Sequence, residues 1–325
     1  MSRTETPSAT PPAAAGERVA TLVDSSIFVF RAWFARGEQP DMFGRPGGAV
    51  HGFAHSLCQW LPLCPAGPVA FAFDTGLRSS FRHRIDPDYK AHRPPAPDAL
   101  RSQFGRIREM LDALGLVQLA HSEFEADDLI ATLAANARTH GLAVDVLSAD
   151  KDLAQVILGP DDRLRDPERG TVLGRADLER RLRVRPEQVA DLLALAGDRS
   201  DNIRGLTGVG PASAARILRR LGDLEAVLAA PQEVARCRIR GAAGIARQVA
   251  DRADALRQAR RLTALVTTVP DLPDPDALYP QGPLPDAERR LHALGVAPPY
   301  RSRLLAIAAD MARRHIAGRR PQQAA

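Results

Sequence analysis

Three apolar runs in this chain end on aspartate or lead directly to it. "RVATLVD" covers Arg18 to Asp24, "PVAFAFD" covers Pro68 to Asp74, and "LAVDVLS" (Leu142 to Ser148) is followed at once by Asp150 and Asp152. Short unbroken runs of this kind, with helix-like stretches between them, read as strands of an α/β fold with a largely parallel sheet. In such a sheet the carboxyl ends of the strands share one edge, where ligands bind. Three strands therefore deliver carboxylates to one place. A single aspartate after a strand can serve the backbone alone, since its side chain accepts a hydrogen bond from an unpaired helix N–H. Capping does not account for the second acid of "ADKD", nor for the repetition.

More acids join the pattern. Glu125, Asp127 and Asp128 open a helix in "SEFEADDLIATLAANA", whose apolar stripe is Ile130, Leu133, Ala134 and Ala137. Ser122 and Glu125 also fit a capping box, and Asp127 and Asp128 suit the positive end of a helix dipole. Asp198 and Asp201, in "GDRSDN", would share a face if that stretch were one helical turn, and Asp201 is also placed to cap the helix after it. Two like charges about 4 Å apart repel by roughly 1 kcal/mol in water and about 4 kcal/mol at an effective dielectric of 20. Nine converging carboxylates would take up protons or splay apart unless cations sat among them. A hard-oxygen set without His or Cys suits Mg²⁺, with Mn²⁺ as a substitute. That many acids can serve two ions, one for the attacking and one for the leaving oxygen of a phosphoryl displacement.

Residues 75–98 form a basic, Pro-rich insert after the second strand. Arg78, Arg82, Arg84, Lys90 and Arg93 are interleaved there with Phe81 and Tyr89. A charge run is often only a solvated loop. Beside an acidic site, the same residues can hold backbone phosphates and stack unpaired bases. Further on, "GLTGVGPASAARILRRLG" reads as short helices around a glycine turn. Gly208 and Gly210 would let the backbone approach a phosphate, with the N–H groups of the next helix facing it.

The chain's 325 residues allow one large domain or two ordinary ones, and a 45% hydrophobic content permits a sizeable core. The formal charge of +5 understates the basic surface if many acids are committed to one site, which favours a polyanionic partner. Cys58, Cys64 and Cys237 have no metal-ligand spacing and suggest a reducing compartment. The first 17 residues, rich in Pro, Ala, Ser and Thr, read as a disordered tail rather than a signal peptide. Nothing approaches eighteen consecutive apolar residues, so a soluble cytoplasmic protein is expected. The organisation expected is an α/β domain over 18–180, with an arch at about 75–98. A helical domain follows over 181–316, with a helix–hairpin–helix at about 198–221, and then a second disordered tail over 317–325.

Together, "LVDSS", "FAFD", "SFRHRIDPDYKAHRPPAPDALRSQ", "FEADDLIATLA", "LSADKDLAQV" and "LAGDRSDNIRGLTGVGPASAARIL" resemble, in order and spacing, the 5′-nuclease family. That family includes the 5′–3′ exonuclease domain of bacterial DNA polymerase I, the phage 5′-nucleases and the flap endonucleases. The resemblance covers about 18–230 and continues more weakly to about 300. It implies a PIN-like (resolvase-like) nuclease core with a helical arch, plus an all-α helix–hairpin–helix domain. It implies that Asp24, Asp74, Glu125, Asp127, Asp128 and Asp150 surround a first metal ion and that Asp152, Asp198 and Asp201 surround a second. Arg31, Arg82, Lys90 and Arg93 match basic residues near the scissile phosphate. Tyr89 matches an aromatic that stacks on the 5′-terminal nucleotide, with Phe81 beside it. Gly208, Gly210 and Ser213 belong to the duplex-binding hairpin, which in some relatives holds K⁺. Many relatives carry a basic residue where this chain has Ala212; Arg216, one turn on, is the candidate replacement.

The activity implied is divalent-metal-dependent, structure-specific hydrolysis of DNA at 5′ flaps, nicks or ends, leaving a 5′-phosphate and a 3′-hydroxyl, in replication and repair. A free-standing, nucleoid-associated monomer with a functional link to a DNA polymerase is the corresponding expectation. Two other readings remain open at this point: a catalytically silent DNA-junction binder, and a ribonuclease like the small PIN-domain toxins.

Overall fold

The computed structural model describes residues 18–75 and 80–318. Arg78 and the two expected tails, apart from residues 317 and 318, lie outside the described residues.

Strand β1 (Val19–Asp24) is buried along its whole length, which is why its sequence is an apolar run rather than an alternation. It lies inside a six-stranded sheet with β2 (Val69–Asp74), β3 (Val117–His121), β4 (Ala143–Leu147), β5 (Arg163–Asp166) and β6 (Thr171–Gly174). The order is β3-β2-β1-β4-β5-β6, parallel throughout except for the antiparallel β5–β6 pair. The chain steps outward from β1 to β3 and then returns to place β4 on the other side of β1. Such a reversal opens a crevice at the carboxyl ends of the two central strands.

Helices α1 (Ser25–Arg36) and α2 (Gly48–Trp60) join β1 to β2. Helices α3 (Phe81–Ile85) and α4 (Asp98–Ala113) join β2 to β3, and α5 (Ala126–Thr139) joins β3 to β4. Side chains alternate across a strand, and β2 shows what this does here. Val69, Phe71 and Phe73 enter a core with α1, α2 and α4, whereas Ala70 and Ala72 enter the opposite core with α5. Small residues on that face, and Ala126, Ala131, Ala134 and Ala137 on α5, leave little bulk between helix and sheet. The N-terminus of α5, with its acids, is thereby held over the crevice.

The chain then forms α6 (Arg175–Leu182), α7 (Val189–Ala196), α8 (Pro211–Leu221), α9 (Leu224–Ala229), α10 (Pro231–Val234), α11 (Ala242–Asp251) and α12 (Ala253–Thr263). Their core is continuous with the α5 face of the sheet. Helices α13 (Ala287–Ala293) and α14 (Pro298–Gly318) behave differently. Leu291, Leu304, Ala308 and Met311 pack with α2 and α4 on the other face. Within the 181–316 stretch expected as one helical domain, α13 and α14 thus pack on a different face of the sheet from α6–α12. The Pro-rich stretch before α13 carries the chain back: Gln281 N donates to Gly115 O at 3.0 Å and Leu284 N to Ala113 O at 2.9 Å. Among the described residues, no helix is long and apolar enough to cross a membrane.

Candidate metal centre and nucleic-acid interface

Asp24 closes β1 at the crevice. It caps α1, accepting from Ile27 N at 3.5 Å, and it accepts a 2.6 Å bond from the hydroxyl of Ser148, which follows β4. Ser148 Oγ in turn accepts from Asp150 N at 3.0 Å, and the Asp150 carboxylate accepts from Asp152 N at 2.9 Å. This chain of bonds curls the segment after β4, so that Asp150 lies within electrostatic reach of Asp24 and Asp127. Asp74, ending β2, accepts from Ala126 N at 2.9 Å and so docks the start of α5 against the strand end. The helix cap here is Glu125, three residues later than the expected Ser122 box, and the Asp128 side chain accepts from Glu125 N at 3.2 Å.

The remaining acids arrive from the helical part. The stretch Asp198–Ile203 is a loop closed by two reciprocal backbone bonds, of 2.9 and 2.7 Å, rather than a helical turn. Its two carboxylates take different cation partners. Asp198 receives Lys151 Nζ at 2.6 Å, while Asp201 receives Arg93 Nη2 at 2.8 Å and the Tyr89 hydroxyl at 3.0 Å. Lys90 Nζ lies 3.0 Å from Glu125 and 3.8 Å from Asp201. Backbone contacts bind the basic arm to this loop: Lys90 N donates to Asp201 O at 3.0 Å, and Asn202 Nδ2 to Asp88 O at 2.8 Å. Lys90 pays for its place with a left-handed backbone, φ +52°. A non-glycine residue holds that conformation only when its surroundings require it.

The charges sort by partner. Burial, with Asp74 and Asp150 adding repulsion, pushes the Asp24 carboxyl up to about 7 against the help of Ser148. Burial and the neighbouring Asp150 and Asp24 raise Asp127 well above the carboxylate range. Burial and Asp150 raise Asp152 to about 7. For Asp201, burial outweighs Lys90 and Arg93, and the carboxyl is again raised. Burial opposes ionisation of Glu125 and Asp198 too, but Lys90 and Arg82 hold the first below its ordinary value, and Lys151 and Ser200 the second.

Among the described residues, no set of three or more His, Cys, Asp or Glu side chains is closed up tightly enough to hold an ion as it stands. The chemistry nevertheless fits divalent cations. The donors are carboxylate oxygens, several are destabilised by their own neighbours, and Asp152 Oδ1 is buried without any hydrogen-bond partner. Among the described residues Asp24, Asp74, Asp127 and Asp150 form no ion pair with a Lys or Arg, and Asp152 meets Lys151 Nζ only at 3.5 Å. A stability prediction follows with a definite sign. A carboxyl raised from 3.8 to about 7 on folding favours the fold below pH 4, and that contribution is lost as pH climbs through 7. In divalent-free buffer, Asp152→Asn is expected to raise the Tm at pH 8 and to bring no gain near pH 4. Thermal melts of both proteins across that range check it.

Several expected site residues are placed elsewhere. Arg82 is buried and forms a two-pronged pair with Asp128, at 2.6 and 2.8 Å, so one is not offered to phosphate nor the other to an ion. The Tyr89 ring is buried, and its hydroxyl proton is shared between Glu125 and Asp201, leaving no face for a base. Phe81 packs on Phe124 with the Arg82 guanidinium above it. Arg31 is held bidentate by Asp166 at 2.8 Å, with Glu168 at 3.2 Å. Arg216 donates to Arg238 O at 2.8 Å. The glycine hairpin between α7 and α8 is open: Gly208 has φ +80°, Gly210 caps α8, and neither would meet anything with an added Cβ. Ser213 is half-buried in the first turn of α8. Sequence reasoning missed Ser148 and Lys151. Both adjoin acids in "LSADKDL", but nothing in the string says which acid each would reach.

Residues 19–183 match the family described as 5′-3′ exonuclease, N-terminal resolvase-like domain, and residues 184–285 match its C-terminal SAM fold. The chain belongs to the 5′–3′ exonuclease family. Curated relatives within reach of this exonuclease-family chain include DNA polymerase I of Rhizobium leguminosarum, 36% identical over 267 residues, covering 79% of this chain and 25% of that protein. A thermostable DNA polymerase I of Thermus thermophilus is 41% identical over 204 residues, covering 63% and 24%. A 5′-3′ exonuclease of Aquifex aeolicus is 34% identical over 207 residues, covering 64% and 71%. The chain thus spans about a quarter of the length of the polymerases it matches. Among solved structures, a bacteriophage T5 flap endonuclease in complex with DNA and metal ions superposes with a TM-score of 0.61 at 20% identity, covering 90% of this chain and 99% of that one. Human GEN1 bound to Holliday junction DNA gives 0.55 at 13% identity, covering 90% and 71%. At these identities the likeness establishes the exonuclease-family fold.

Proposed function

We propose that this chain is a divalent-metal-dependent, structure-specific 5′-nuclease that hydrolyses DNA phosphodiesters near 5′ single-strand/duplex junctions. The observation that carries the reading is the gathering of acids from β1, β2, α5, the segment after β4 and the 198–203 loop at one crevice, with Lys90 and Arg93 on top of them. A pure binder of DNA gains nothing from a charge cluster that repels it. In this reading Asp24, Asp74, Glu125, Asp127 and Asp150 hold one Mg²⁺, and Asp152, Asp198 and Asp201 a second, with Mn²⁺ able to replace either. When bound, the ions supply Lewis-acid stabilisation of the attacked phosphoryl group and make nearby water more acidic.

The chain's own residues do the rest. Lys90 and Arg93 exchange their carboxylate partners for the phosphoryl oxygens and offset the charge that gathers there. The open hairpin at Gly208–Gly210 and the Ala212 N–H at the start of α8 grip duplex phosphates without sequence preference, and K⁺ is proposed to bind at the same hairpin. The basic arm guides unpaired nucleotides to the crevice. The chain acts as a monomer on flaps, nicks and ends, alongside a DNA polymerase that fills the gap it leaves. Purified protein with Mg²⁺ is expected to cut a labelled 5′-flap DNA to a 5′-phosphate and a 3′-hydroxyl, and EDTA to stop it. Equal cutting in EDTA, or cutting of the RNA version alone, would overturn the reading.

A further inference from the structure

Arg82 sits in α3 at the foot of the basic arm and Asp128 in the first turn of α5, and both are almost wholly buried, at 1% and 0% exposure. A guanidinium has five N–H donors and a carboxylate about four acceptor sites. Every one of them is used. Arg82 Nη1 donates to Asp128 at 2.6 Å and to Glu125 at 3.4 Å, and Nη2 donates to Asp128 at 2.8 Å and to Ala264 O at 2.9 Å. Its Nε donates to Leu262 O at 2.8 Å. Asp128 accepts those two bonds, one from Val266 N at 2.9 Å and one from Glu125 N at 3.2 Å. Nothing remains for a phosphate or a metal ion.

We infer that Arg82 and Asp128 are a positioning pair, which fixes the foot of the basic arm, the acidic end of α5 and the end of α12 in one frame. The inference rests on the nuclease reading of the crevice. Phe81 N also donates to Glu123 O at 3.0 Å, so the arm is tied on both sides of Glu125. Tyr89 and Lys90, a few residues along the same arm, then meet Glu125 at 2.9 and 3.0 Å. The pair thus acts through Glu125 and Lys90, and it links the helical part to the crevice through two main-chain carbonyls of the α12 terminus.

The test uses Arg82→Lys, which keeps the charge but loses the fork, Asp128→Asn, and the double variant Arg82→Met/Asp128→Leu, which replaces the pair by apolar groups. Each is assayed well below its own Tm. Single-turnover cleavage of a 5′-flap DNA is expected to fall by about 10²-fold in all three, as for a misplaced catalytic group. Mn²⁺ stoichiometry by calorimetry without DNA is expected to stay at the wild-type value. The slope of log K against log salt for flap binding in Ca²⁺ is expected not to change, whereas a lost phosphate contact would lower it by about 0.9. The apolar double variant is expected to recover the Tm but not the rate; recovery of both would make the pair merely structural and overturn the inference. Loss of one Mn²⁺ equivalent in Asp128→Asn, or the lowered slope in the double variant, which removes the Arg82 charge, would overturn it as well. If the wild-type chain cuts no DNA, the functional reading itself fails and takes the pair's role with it; an active wild type beside fully active variants overturns the pair alone.

Discussion

Replacing Asp150 with alanine is expected to lower cleavage of a 5′-flap DNA by on the order of 10³-fold or more, while leaving flap binding intact or slightly tighter. The two halves of that result come from one geometry. Repulsion from Asp150 raises the carboxyls of Asp24 and Asp127 and also that of Asp152. Asp150 belongs to the first proposed ion site and also acts on Asp152 of the second. Its removal takes away charge that divalent ions would bind and, in the same step, relieves repulsion among the acids that remain. In divalent-free buffer at pH 8, Asp150→Ala is therefore expected to melt above wild type although it is inactive. DNA is a polyanion, so losing an acid from the crevice does not weaken its approach. Normal turnover by this variant, measured under single-turnover conditions with saturating enzyme, would remove the site assignment.

Lys90→Ala is expected to slow the chemical step by about 10²–10³-fold with a much smaller effect on binding. Lys90 is mostly buried and stands against Glu125, and that carboxylate raises its ammonium above the ordinary lysine value in spite of burial. It is therefore a fixed positive charge throughout the working pH range. Its left-handed backbone supplies an internal control. Glycine adopts that conformation freely and alanine does not, so Lys90→Gly is expected to be more stable than Lys90→Ala by about 1 kcal/mol. Both are expected to lose the same rate. Equal melting temperatures would contradict the strain, and an unchanged single-turnover rate would contradict the role.

Much of this arrangement could be read from the string because burial leaves a plain signature. β1, β2 and β4 are buried on both faces, so they appear as apolar runs, and an acid that ends such a run has only the sheet edge to occupy. Helix α1 escaped the reading because "SSIFVFRAWFAR" offers no continuous polar face. The β5–β6 hairpin escaped because "RLRD" and "TVLG" are short, and arginines fill half of the first strand. Helices α13 and α14 were read as helices, but a helical pattern states that a face is buried and not against what. The candidate site divides in the same way. That acids converge follows from strand polarity. That Asp128 is taken by Arg82, and Asp198 by Lys151, depends on side chains distant in sequence, 46 and 47 residues apart, meeting in space.

The most direct test is a calorimetric titration of Mn²⁺ into metal-free protein, paired with melting temperatures at each concentration. An ion that binds only the folded chain stabilises it by about 2.7 kcal/mol at a hundred times its Kd. Saturable heat with two equivalents bound, a rising Tm, and loss of at least one equivalent in Asp150→Ala are the predicted results. No saturable heat and a Tm indifferent to Mn²⁺ would contradict the claim that these carboxylates are assembled for divalent ions.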